Sequence, residues 1–171
     1  MIVVSDAGAD PKCTLEDLGN AVRKIAIDLG VKIEFRRICV RKRSDMAVAG
    51  VYCAEGTIHY PEGGDGQIIY FKPGFYGLEE PADVRAYAAA NAKFPHESTL
   101  NQWFGESQFE SYRSLGAYVI EEVCKKTTAE PLNLTLFASL VHDHLDEFEK
   151  SLTNGATVVD IRHPIQVTRA A

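Results

Sequence analysis

The chain has no surplus of basic charge: 18 Lys and Arg stand against 24 Asp and Glu, a formal net charge of −6 over 171 residues. Gripping a phosphate backbone needs Lys and Arg in excess on one face, so the composition argues against a nucleic-acid partner. C-x-x-C spacing is missing too. Cys13, Cys39, Cys53 and Cys124 stand far apart, signalling neither a zinc site nor a thioredoxin-like pair, and read as reduced thiols. No charged leader precedes an apolar stretch, and no apolar run approaches the ~20 residues that span a bilayer. The segment therefore reads as cytosolic or cytosol-facing. Internal repeats and low-complexity tracts are absent. What remains is 46% apolar and 25% charged, a globular composition, on a chain long enough to bury roughly 70% of its unfolded surface.

The pattern is α/β. Ile2-Val3-Val4-Ser5 is a short apolar run that reads as a strand buried on both faces, followed by a turn through Asp6-Ala7-Gly8-Ala9-Asp10-Pro11. Leu15, Leu18, Val22, Ile25 and Leu29 recur at helical spacing behind a Thr14 cap, and Gly30 ends that helix. Val31 to Phe35 alternates as a second strand, so the opening third predicts a βαβ unit. Val48 to Tyr60 and Gln67 to Phe71 predict an antiparallel hairpin around the glycine-rich loop 61–66. Pro81 opens a short helix. A cap at Ser98 or Thr99, with Gln102 completing a capping box, predicts a long helix to about Lys126 that buries Trp103, Phe104, Phe109, Leu115, Val119 and Val123. Another helix is expected from about Leu132 to Leu152, stopped by Asn154-Gly155, and a last strand over 157–161. A sheet opening abruptly on a bare apolar strand has an edge to satisfy, which makes a truncated larger sheet the economical expectation, with strand-paired dimers as the alternative.

Catalytic signals are sparse. A serine hydrolase on an α/β sheet needs its nucleophile on a tight strand-to-helix turn between glycines, and no G-x-S-x-G occurs. Ser114 has Gly116 after it but Tyr112 before it, inside a helical pattern. In His142-Asp143-His144 the imidazoles point about 200° apart on a helix, so only His142 and Asp146 share a face; a solvated face is the simpler reading than a metal site. Gly63-Gly64-Asp65-Gly66 lacks the Lys-Ser/Thr of a phosphate-binding loop and joins two strands. The basic stretch Arg36 to Arg43 reads as a solvated loop or strand edge, with anionic lipid headgroups as the alternative. Asp6 and Asp10 follow a strand at its carboxyl end, where open α/β sheets bind ligands; they either act on a ligand or fix the turn and cap the next helix. His96 and Glu97 either line that cleft or serve as surface and capping groups. No cofactor is called for.

Several strings resemble a known family. Ile2 to Pro11, Leu15-Glu16-Asp17-Leu18-Gly19-Asn20-Ala21 with Ile27-Asp28-Leu29-Gly30, and Gln67 to Pro73 resemble the C-terminal part of large bacterial patatin-like phospholipases. Phe94-Pro95-His96-Glu97-Ser98-Thr99, with Gln102, Phe104, Gln108 to Arg113 and Leu115-Gly116, is similar to that family's closing signature. The resemblance spans residues 2–116; residues 117–171 form a helical extension of unknown role. It implies part of a larger three-layer α/β/α fold and a Ser-Asp acyl hydrolase of lipid esters. The nucleophile in G-x-S-x-G, its aspartate base in D-G-G or D-G-A and the oxyanion hole would all precede Met1. Asp6-Ala7-Gly8 echoes D-G-A only loosely. Asp6, Asp10 and His96 are then neighbours of the active site, the expected partners are the upstream part of the parent chain and a lipid or membrane surface, and the chain alone is expected to be inactive. Against this stand a stand-alone, non-catalytic interaction domain and an enzyme using Asp6, Asp10 and a metal.

Overall fold

The computed structural model describes residues 1–43, 50–79, 81–98, 100, 102–125, 127 and 133–153. Four strands and four helices follow in the order β1 (Ile2–Ser5), α1 (Glu16–Leu29), β2 (Lys32–Phe35), β3 (Cys53–His59), β4 (Asp65–Phe71), α2 (Ala82–Ala90), α3 (Glu106–Cys124) and α4 (Leu134–Thr153). The strands form one mixed sheet in the order β1-β4-β3-β2. The hairpin is present: β3 and β4 pair antiparallel from Cys53 opposite Phe71 to His59 opposite Asp65. Gly63 and Gly64 turn it at φ of 92° and 87°, a region open to glycine.

The βαβ expectation needs correction. β1 and β2 are not neighbours; the hairpin lies between them, β1 parallel to β4 and β2 antiparallel to β3. The reason is in the side chains. β3 and β4 carry the buried residues, so they take the centre, whereas Ile2 and Val3 remain 47% and 46% exposed on an edge. β1 is thus an apolar edge strand and is not buried on both faces.

Register sorts the two faces. Cys53, Ile69 and Phe71 join one core with Val84 and Ala88 of α2, Phe94, Leu115, Val119 and Val123 of α3, and Leu140, Val141 and Leu145 of α4. Burying a side chain of this size contributes about 1.5–3 kcal/mol. Phe71 stacks on Phe137 at 6.1 Å between ring centres, and Phe94 meets Tyr112 edge-on at 4.8 Å. The opposite face carries Ile58, Ile68 and Tyr70. α1 packs beside β2, and none of its residues is buried; Ile27 and Leu29 are 74% and 65% exposed.

The long helix expected from residue 98 or 99 starts later, at Glu106. Ser98 Oγ instead accepts the nearby Leu100 N–H at 3.3 Å, and Gly105, a poor interior helix residue, takes the N-cap position. Thr99 lies outside the described residues. Leu115, Val119 and Val123 are core as expected, but Trp103, Phe104 and Phe109 are 91%, 59% and 61% exposed. Asn133, whose Oδ1 accepts the Leu136 N–H at 2.9 Å, caps α4. Leu132, Asn154-Gly155 and the strand expected over 157–161 lie outside the described residues. Gly116, where the resemblance ends, falls inside α3, whose later residues share the core with α4.

Candidate functional site

Parallel pairing builds the only cluster that gathers all three acid and histidine candidates. Ser5 pairs with Phe71, so the next residues, Asp6 and Lys72, leave the sheet side by side, and the Asp6 N–H still donates to the Phe71 carbonyl at 2.9 Å. The Lys72 side chain is 2% exposed, and its Nζ lies 3.0 Å from Asp6 Oδ2. It also donates to the Gly8 carbonyl at 2.7 Å. Tyr70 OH donates to Asp6 Oδ2 at 2.5 Å, and the Gly8 N–H donates to Oδ1 at 2.8 Å. Burial alone would raise the Asp6 carboxyl, but the bonds from Tyr70, Lys72 and Gly8 outweigh it and hold it below the ordinary range.

Asp10 closes the same loop. Its Oδ1 accepts the Thr14 N–H at 3.0 Å and the Thr14 hydroxyl at 3.2 Å, and its Oδ2 accepts the Leu15 N–H at 2.7 Å. Burial pushes its carboxyl up, but these bonds pull it further down. Leu15, at φ 54°, occupies the N-cap position of α1 without a side-chain cap. The expected Thr14 cap is therefore replaced by Asp10, which satisfies the donors from farther back along the chain. His96 arrives from the loop after α2 and is 5% exposed, so its surface reading is overturned. Its Nδ1 accepts the Asp10 N–H at 3.3 Å. Burial first, and then Lys72, lower its pKa and keep the ring neutral. Glu97 bridges α2 and α3, accepting from Tyr87 OH at 3.1 Å and from Gln108 Nε2 at 3.2 Å.

These groups border a crevice of about 260 Å³ lined by Asp6, Asp10, Lys12, Thr14, Asp17 and Lys72, among others. Chemically it is a brace. Both carboxylates are spent on neighbouring donors, and a carboxylate held below its ordinary range is a weak base. The one hydroxyl at Asp10, that of Thr14, belongs to the cap. Lys72 and His96 were the missed and the misplaced members. The alternation of β4 puts Lys72 just past the strand end, and that position next to Asp6 becomes visible only once β1 is known to pair with β4.

Elsewhere the candidates disperse. Ser114 donates to Asp83 of α2 and lowers its carboxyl, a serine–aspartate contact between two helices without the strained turn a nucleophile needs. His142 Nδ1 lies 2.9 Å from Glu55 Oε1, and its Nε2 lies 3.7 Å from Asp146 Oδ2. A cation already sits in this group: Arg36 lies 3.1, 2.6 and 3.0 Å from Glu55, Asp146 and Glu149. Among the described residues, no group of three or more His, Cys, Asp or Glu is arranged to hold a metal ion. Arg43 donates to the Asn91, Phe94 and Ala88 carbonyls at 2.7, 3.0 and 2.5 Å while lying over the Phe75 ring. The basic stretch is thus partly turned inward. Cys53 is buried, which pushes its thiol up to about 12 and leaves it unreactive.

No family model matches the chain, nor does any curated protein or solved structure.

Proposed function

We propose that the chain is a non-catalytic, sheet-completing part of a patatin-like lipid acyl hydrolase, the nucleophilic serine and its aspartate being carried on a preceding part of the parent protein. One observation carries the reading: β1 is an edge strand with apolar side chains open on both faces, beside a helix that buries nothing. An adjoining parallel strand and a helix on the α1 side would cover both, extending the sheet toward a three-layer fold. The Asp6, Asp10, Lys72 and His96 brace then fixes the loop at the carboxyl end of β1, beside the catalytic centre and outside it. The ordered resemblance over residues 2–116 supports the same assignment.

The test is hydrolysis of a p-nitrophenyl acyl ester by the purified chain. The expected rate is that of buffer, with no labelling by a fluorophosphonate; turnover abolished by Ser114→Ala overturns the reading. The exposed β1 edge also favours a second reading, a stand-alone interaction domain. An open frame upstream of Met1 encoding G-x-S-x-G followed by D-G-G selects the first; an in-frame stop there selects the second.

A further inference from the structure

The segment joining α2 to α3 exposes its apolar residues. Leu100 and Trp103 are each 91% exposed, Phe104 59% and Phe109 61%. Gly105 is the N-cap of α3, so Phe104 and Phe109 hold the N′ and N4 positions that ordinarily staple a helix start. Here they share the open side of that start with the loop. Large apolar side chains this open, four within ten residues, mark a contact surface.

The local charge narrows what that surface meets. From Phe94 to Tyr112 the sequence holds Glu97, Glu106 and Glu110 and no Lys or Arg. An anionic membrane or acidic protein would be repelled by this segment and by the net charge of −6. A neutral lipid surface would not. Trp and Phe suit the boundary between headgroups and acyl chains, where an amphipathic ring is wet at one end and apolar at the other. The arginines that would have served anionic headgroups, Arg36 and Arg43, are engaged with Glu55, Asp146 and Glu149 and with backbone carbonyls.

We propose that Leu100, Trp103, Phe104 and Phe109 form a docking surface that inserts into the interfacial zone of a zwitterionic lipid bilayer. The inference stands on exposure and charge, and does not depend on the acyl-hydrolase reading. Association is driven by apolar burial and is insensitive to salt.

Trp103 is the single tryptophan of the chain, so intrinsic emission reports on this surface alone. The experiment titrates the full chain with phosphatidylcholine vesicles, following emission and co-sedimentation. The expected result is a blue shift that saturates with lipid and survives high salt. Phe104→Ser and, separately, Leu100→Ser keep the reporter and change exposed side chains, with circular dichroism verifying the fold; each should weaken binding about tenfold. Three results overturn the proposal: no blue shift or co-sedimentation at millimolar lipid, binding that requires an anionic lipid, or a blue shift without vesicles that grows with protein concentration. The last assigns the surface to a second copy of the chain.

Discussion

Glu79 is fully buried with no cation beside it. Its charge is instead met by hydrogen bonds: Oε1 accepts from Tyr52 OH at 2.9 Å and from the Tyr76 N–H at 2.6 Å, and Oε2 accepts from the Gly77 N–H at 2.8 Å. Glu79→Gln keeps the shape but turns an amide NH2 toward one of these donors. It should cost about 1–3 kcal/mol in denaturant unfolding, and an unchanged midpoint would refute this account of the turn. His96 makes the second residue-scale prediction. Its folded pKa lies below the ordinary 6.5, chiefly through burial and then through Lys72, against the opposing pull of Asp10 and Asp6. Below pH 6.5 the unfolded chain takes up a proton that the folded chain refuses, so stability falls as pH drops from 6.5 toward the folded value, then levels. Asp6 and Asp10 act lower: their depressed pKa values contribute stability above 3.8 that is lost as pH falls beneath it. In His96→Asn, thermal unfolding across pH 5–7 should lose the slope that belongs to this histidine, while the acid limb below pH 4 persists.

Elements were legible where local chemistry decides them. Gly30 ends α1 at φ 65°, with its N–H on the Ala26 carbonyl as a C-terminal glycine should, and the loop with Gly63 and Gly64 turns the hairpin. The start of α3 was not legible, because Ser98, Thr99 and Gln102 imitate a capping box while Gly105 sits seven residues past Ser98 to host another start. The end of α2 was hidden for a different reason. Its free carbonyls are met by Arg43, which lies 45 residues before Ala88, and no window of local sequence reports such a pairing. Arg43→Met keeps the stem over Phe75 and removes the donors. It should lower stability by about 1–3 kcal/mol, with amide exchange rising first at the C-terminal turn of α2; uniform exchange through the chain would show that Arg43 does not hold that turn.

For the whole molecule, strand composition spoke for the α/β class but not for strand order. The run of Ile2 to Val4 is equally apolar whether a strand is central or at an edge, and only the insertion of the hairpin between β1 and β2 decides which. The same insertion brings Asp6 to Lys72, so the candidate cluster and the strand order were hidden together. An open apolar edge is an invitation to pair, since its outward N–H and C=O groups have no partner strand. Val3 is the residue through which to test it: it lies mid-strand opposite Ile69 and is 46% exposed. Val3→Lys places a charge where another strand would have to desolvate it, yet leaves the side chain room to reach water. Within one chain the change should move stability by no more than about 0.5 kcal/mol. Between chains its effect should be large: sedimentation velocity on the wild type should show association that grows with concentration, and the lysine variant should remain monomeric over the same range. If both sediment as monomers at every concentration, β1 is not a pairing edge in isolation; if Val3→Lys also collapses the unfolding midpoint, Val3 belongs to the core despite its exposure.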